Sequence, residues 1–232
     1  MKRRDGLLVA IGWPAALCIP PAAAQTDDPR VLDLKPLGQD RFQLGRIVVD
    51  KRSAAFTLPG RVIVLGKPLE YLACSPRGRK AYETLLELDT FGSEFNLACI
   101  LIGLERDPRD ALPRQSPQTA LFGPRVALSL AWSEDGKRRK VSAATALLDA
   151  RIEQKPESVE WVYTGSRTPD GQGRFVADYT GTLIGFIPDA NCVILSAVPI
   201  GFGAYGSVHG NAMLPPVGTA LELIVEAVPS AK

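Results

Sequence analysis

The sequence predicts an α+β domain, a mainly antiparallel β-sheet of sandwich-like form carrying one buried apolar helix. Three observations predict it. Short segments with period-two alternation recur along the chain, most cleanly at Val126–Trp132 and Ala220–Val228. Turn signals built from Gly, Pro and Asp separate them. One block, Phe95–Leu104, is apolar on two helical stripes at once, which asks for cover on most sides.

Residues 1–24 precede the fold. Lys2, Arg3 and Arg4 form a positive start, Leu7 to Ile19 is an apolar run broken by Pro14, and Ala22-Ala23-Ala24 supplies small residues before Gln25. This is the pattern of a Sec signal peptide cleaved after Ala24, and it predicts a periplasmic or secreted protein. The apolar run is too short for a membrane span, which takes about 20 residues. Leu17 stands directly before Cys18, where a lipoprotein would need a small residue. Cleavage leaves 208 of 232 residues and removes three basic residues and one acidic one, so the net charge falls from +2 to zero. A nucleic-acid binder should carry a basic excess, so that class is set aside.

Residues 25–41 are polar and proline-punctuated and read as a leader arm, with one domain expected over 42–232. Arg46–Asp50 and Ala54–Leu58 read as strands, Pro59-Gly60 as a turn, and Arg61–Leu65 as the returning arm. Leu69–Cys74 is a further short strand. In Ala81–Leu88, a strand would place Tyr82, Thr84, Leu86 and Leu88 on one face and Glu83, Leu85 and Glu87 on the other; a helix fits nearly as well. Ser93 is the expected N-cap of the apolar helix, Glu94 suits its first turn, and Gly103 breaks it.

Val126–Trp132, Asp135-Gly136 and Arg138–Ala143 spell a hairpin with a two-residue turn. The basic run Lys137–Lys140 then reads as a solvated arm. Val159–Gly165, Arg174–Tyr179, Thr182–Ile187 and Cys192–Ala197 read as strands, and Ala220–Val228 closes the chain as one more. Two long Gly/Pro-rich stretches, 106–124 and 198–218, lie outside this pattern.

A series of short motifs runs in order through the chain: a Leu-Pro-Gly step, LEYLACSP, RKAYETLL, NLACILIGL, WVYTGS and LPPVGTALELIVE. In that order they resemble the YdjY-domain family of exported bacterial proteins, over roughly Phe42 to Pro229. The family's His-Glu-Ser-Leu-Leu core matches Tyr82, Glu83, Thr84, Leu85 and Leu86 here. The glutamate is kept and the histidine is a tyrosine. The family is also linked to ferredoxin-type proteins, but this chain has no run of four closely spaced cysteines to hold a cluster. No cofactor and no metal are expected.

Glu83 is the first candidate site residue, as a carboxylate that orients a ligand or moves a proton, with Tyr82 and Thr84 beside it. The second group is Tyr205, Ser207, His209 and Asn211, which alternate and would share one side of an extended chain. Its surroundings are not a GxSxG elbow, and no phosphate-loop pattern follows. Tyr205 and Asn211 are therefore expected in a ligand-binding lip. Cys74, Cys99 and Cys192 allow one disulfide, with three pairings open. Cys74 with Cys192 is the expected bridge, since each adjoins a strand. A reactive Cys74, made electropositive by Arg77, Arg79 and Lys80, is the thiol alternative. These readings favour a non-enzymatic binding or accessory protein for a periplasmic protein or small ligand. The enzymatic alternative is a hydrolase or transferase that uses Glu83 with His209, and it requires the two to share a cleft.

Overall fold

Alternation along long strands and the lack of it along short ones divide this fold into two kinds of wall. The computed structural model describes residues 32–106, 121–151, 159–167, 175–201 and 206–229, all within the unit Val31–Lys232. The first strands are β1 (Leu34–Gly38), β2 (Arg41–Leu44), β3 (Ile47–Asp50), β4 (Ala55–Val62), β5 (Tyr71–Cys74) and β6 (Thr84–Leu88). Helix α1 (Gly92–Leu101) follows, then β7 (Arg125–Glu134), β8 (Lys137–Ser142), β9 (Leu147–Asp149) and β10 (Trp161–Tyr163). The chain continues through α2 (Val176–Thr180), β11 (Thr182–Gly185), β12 (Ile194–Ser196), β13 (Val208–Gly210) and β14 (Ala220–Ala227).

The protein is mainly β, and the sheet closes on itself. The order β4-β14-β7-β10-β12-β11-β5-β6 returns to β4 and forms a closed eight-stranded barrel. The β5–β6 and β11–β12 pairs are parallel, and the other barrel pairs are antiparallel. Strands β1–β3 extend from one edge of β4, β8 pairs with β7, and β9 with β13 makes a small separate ladder. The sandwich expectation is corrected accordingly. Side chains from every wall, among them Leu58, Leu86, Ala73, Leu130, Ile184 and Leu223, join a single core. The barrel is therefore filled with side chains, as small barrels are.

β4 explains why the sheet closes. Its partner on one edge is β14 throughout. On the other edge β3 pairs with residues 55–57 and β6 with residues 60–62. Pro59 and Gly60 sit at this handover, so the expected turn is instead the middle of one continuous strand. The Pro59 carbonyl accepts from Asp89 N at 2.9 Å. Its missing N–H thus faces the edge where β3 has already ended, and no ladder bond is lost. At Gly60 a Cβ would lie 2.6 Å from the Glu87 carbonyl oxygen, so only glycine lets β6 approach.

The β7–β8 hairpin forms as the sequence predicts. Asp135 and Gly136 both take positive φ, 51° and 74°, the geometry of a two-residue turn. Val126, Leu128, Leu130 and Trp132 are buried on one face of β7, as are Leu221, Leu223 and Val225 on β14. The basic run of β8 is exposed and paired, Arg138 with Glu222 at 2.7 Å and Lys140 with Glu226 at 3.4 Å.

Three other expectations change. The described part of the polar leader is ordered, with Leu34–Gly38 forming the exposed edge strand β1. Val176–Thr180, expected in a strand, is a helical turn. It is closed by Gly181 at φ 73° and by a Thr180 Oγ1 bond to the Val176 carbonyl at 3.1 Å. Helix α1 begins at Gly92, one residue before the expected cap. Gly92 lies so close to α2 that a Cβ would meet Ala177 Cβ at 2.5 Å. The cap comes from carboxylates: Asp178 Oδ1 accepts from Ser93 N at 2.8 Å, and Glu94 Oε2 from Phe91 N at 3.2 Å.

Only one side of α1 is covered. Phe95, Ala98 and Cys99 are buried, and Phe95 meets Phe56 edge-on with ring centroids 5.4 Å apart. Ile100 is 49% exposed, and Leu97 and Leu101 are half-buried. The cover expected on most sides of the apolar block is therefore missing at Ile100, while Leu97 and Leu101 pack against the core in part. The helix stops at Gly103, φ 90°, where Leu104 N reaches back to the Cys99 carbonyl at 3.1 Å.

Candidate functional site

The family-like segment around Glu83 is neither plain strand nor plain helix. Ala81–Glu83 make a tight 3-10 turn, and β6 starts at Thr84. The turn breaks the alternation and sends Tyr82 outward while Glu83 and Thr84 both turn inward. Tyr82 is 63% exposed, Glu83 only 4%, and Thr84 is fully buried. The three side chains expected to flank one ligand therefore do not face one space.

Glu83 is occupied. Lys80 Nζ lies 2.5 Å from Glu83 Oε1 and 3.3 Å from Tyr82 Oη. Thr84 Oγ1 donates to the Lys80 carbonyl at 2.6 Å and pins the base of that lysine. On the other side stands Glu70, whose backbone N donates to the Glu83 carbonyl at 3.0 Å. The two carboxyl groups lie close enough for the charge of one to act on the other. Burial, followed by the charge of Glu83, raises the Glu70 carboxyl above its ordinary range, and Lys80 partly offsets this. Asp189 adds a third negative charge and accepts from Tyr71 Oη at 3.0 Å. Burial, reinforced by Asp189, pushes the Tyr71 phenol up, so it stays a donor.

The result is a line of groups, Tyr82–Lys80–Glu83–Glu70, with Asp189 and Tyr71 beyond it. Glu70, Lys80, Asp189 and Tyr71 were not among the residues the sequence singled out for this site. The Lys80-to-Glu83 spacing of one turn was the available signal for the pair. Among the described residues, no group of three or more His, Cys, Asp or Glu side chains is arranged to hold a metal ion.

His209 belongs to the small ladder, where β13 pairs with β9 and His209 stands opposite Leu148. Val208 faces the core, so its partly exposed neighbour His209 faces the other way. The backbone connects this ladder to the Glu83 region, since Leu69 N donates to the Val208 carbonyl at 2.9 Å. Asn211 closes a turn. Its side chain accepts from Met213 N at 3.0 Å, and its own N donates to the Ala146 carbonyl at 2.8 Å. Ser207 is buried, and Tyr205 lies outside the described residues. Asp149, at the start of this ladder, grips Arg151 at 2.6 Å, and that bond holds its carboxyl below the usual range.

Cys74, Cys99 and Cys192 are free thiols and all are buried, so the expected Cys74–Cys192 bridge is not formed. Each has its own surroundings. Cys74 lies near Thr84 and Glu87; Cys192 lies near Thr182 and packs with Tyr71 and Leu195. Burial pushes the Cys74 thiol up to about 12, and Glu87 adds to the effect. The electropositive, exposed setting that thiol chemistry needs is not what Cys74 has.

A concavity of ≈570 Å³ opens beside β7 between β8 and β10. Arg125, Ser129, Val141, Glu160 and Trp161 line it. Arg125 and Glu160 pair within it at 3.0 Å.

No family model matches the chain, and neither the curated proteins nor the solved structures include a significant relative.

Proposed function

We propose that this chain is an exported binding or accessory protein, and that Glu83 is a structural carboxylate within it. The observation that carries this reading is the Lys80–Glu83 contact at 2.5 Å, which engages a buried carboxylate, with the Glu70 backbone N donating to the Glu83 carbonyl at 3.0 Å. A general base must reach a substrate proton with an available oxygen. Here Glu83 is 4% exposed and its carboxylate is engaged by Lys80. The leader pattern of residues 1–24 and the YdjY-domain resemblance supply the exported setting. The partner class is a periplasmic protein or a small ligand.

The test is complementation of a deletion strain with Glu83→Gln, His209→Ala and the double variant, each first checked for folding by thermal melting. The binding reading expects every folded variant to restore whatever the deletion removes. Failure of the folded single variants would support the hydrolase or transferase reading instead. Export is tested separately by fusing residues 1–40 to a reporter that is active only outside the cytoplasm. Activity that vanishes when residues 2–24 are deleted is the expected result.

A further inference from the structure

The turn that leads into the Glu83 segment is held more tightly than a surface turn requires. Ser75 N donates to the Gly181 carbonyl at 2.8 Å and Arg79 N to the Thr180 carbonyl at 2.9 Å, so the turn is tied to the end of α2. Gly78 N and Ala81 N close it internally at 3.0 and 3.1 Å. Gly181 and Gly78 pack backbone to backbone, and a Cβ on Gly181 would lie 2.5 Å from Gly78 Cα. Arg77, at the tip, is held at φ 60°, a conformation that disfavours any side chain. Strain of this kind persists only where the surroundings over-determine it, and it concentrates at functional surfaces.

This rigid turn presents two cations and two aromatic rings to solvent. Arg77 and Arg79 are exposed, and neither has a carboxylate partner for its guanidinium among the described residues. The contrast is with Arg61, Arg138 and Arg139, which pair with Glu87, Glu222 and Glu134. The Arg79 guanidinium stacks on the Tyr179 ring 3.6 Å from its centroid, which fixes both side chains before any partner arrives. Tyr179 is 59% exposed and Tyr82 is 63% exposed. The charge of Lys80, between Arg79 and Tyr82 in the chain, is already committed to Glu83.

We propose that Arg77, Arg79, Tyr82 and Tyr179 form a docking surface for an acidic segment of a partner protein. This deepens the binding-protein reading by naming the chemistry of the partner. Tyrosine and arginine are the residue types that dominate the energetics of protein interfaces. A pre-fixed turn also lowers the ordering cost of association. Two unpaired guanidinium groups select carboxylates, which they can grip in paired hydrogen bonds. A sugar platform would need open ring faces, and Arg79 already covers one face of Tyr179.

The probe is a fluorescein-labelled peptide of alternating glutamate and leucine, titrated against the full mature chain by anisotropy at low ionic strength. A lysine-for-glutamate peptide and alginate serve as comparison probes. The acidic peptide is expected to bind and the lysine peptide not to bind. Arg77→Gly with Arg79→Ser is expected to weaken binding by about tenfold or more. Arg77→Gly also relieves the positive φ, so this variant keeps its fold. Tyr82→Ser with Tyr179→Ser should weaken binding at unchanged charge, which separates docking from simple attraction. Lys137→Glu, on the remote hairpin, should change little. Equal binding by wild type and both double variants overturns the surface, and leaves the binding-protein reading to the complementation test. Binding of alginate without the acidic peptide overturns the protein-partner assignment.

Discussion

The wall made by β4, β14 and β7 and the wall made by β11, β5 and β6 bury similar apolar side chains but place their charges differently. In the first wall the strands are long and alternate cleanly, and the charges stay outside. Arg138–Glu222 and Lys140–Glu226 reach across β7, from β8 to β14, on the solvent face. In the second wall the strands are short, and β5 and β11 are buried at every position. At its margin Glu83 is buried and is satisfied by Lys80, with Glu70 close by. Polar groups on the first wall add solubility. On the second they determine how the chain can pack.

That contrast can be broken by mutation, and the largest effect should come from the shared core. Phe56→Ala removes a fully buried ring of β4 and its edge contact with Phe95. It should cost about 3–5 kcal/mol in urea unfolding. Next, Lys80→Met strips the partner from a buried carboxylate. A fully buried pair broken this way costs about 3–5 kcal/mol, and with Lys80 partly in solvent about 2 kcal/mol is expected. Adding Glu83→Gln to that variant should recover much of the loss, which a double-mutant cycle measures.

Glu70→Gln should act through pH. The folded state raises the Glu70 carboxyl, so folding favours the protonated acid. Its contribution is present at low pH and is lost as pH rises from the unfolded range through the folded value. The variant should match wild type near pH 4 and exceed it near pH 8 in unfolding midpoint. A wild-type advantage at pH 8 would refute the raised Glu70 carboxyl. The smallest effect belongs to the regular wall: Arg138→Ala, which breaks an exposed pair with Glu222, should change stability by no more than about 1 kcal/mol.

The same contrast governs what the sequence made legible. β7, its Asp135-Gly136 turn and β14 were readable because one face is core and the other is solvent, so alternation survives in the residue types. Pro59-Gly60 misled because the residues that favour a turn also suit a strand that changes neighbours in mid-course. Val176–Thr180 misled because its apolar and aromatic residues favour a strand, while Thr180 and Gly181 close it as a helix. Sandwich and barrel share the same strand patterns. What separates them is the β4–β6 pairing, a contact between segments that no local pattern encodes. At the site, Glu83 was visible and its neighbourhood was not. Glu70 and Asp189 arrive from the start of β5 and from the loop after β11, and only the closed sheet brings them near.

The position of β14 has a consequence for how this chain can be made. It is the last strand among the described residues, yet it sits between β4 and β7 in the barrel. Until Ala220–Ala227 has emerged, the long flanks of β4 and β7 have no common neighbour and stay open to foreign pairing. Closure therefore waits for the synthesis of Ala220–Ala227, and a chain that has not reached them stays unlocked. For a polypeptide threaded through a translocase, late locking is an advantage. For one produced at high level without export, it is a long window for aggregation.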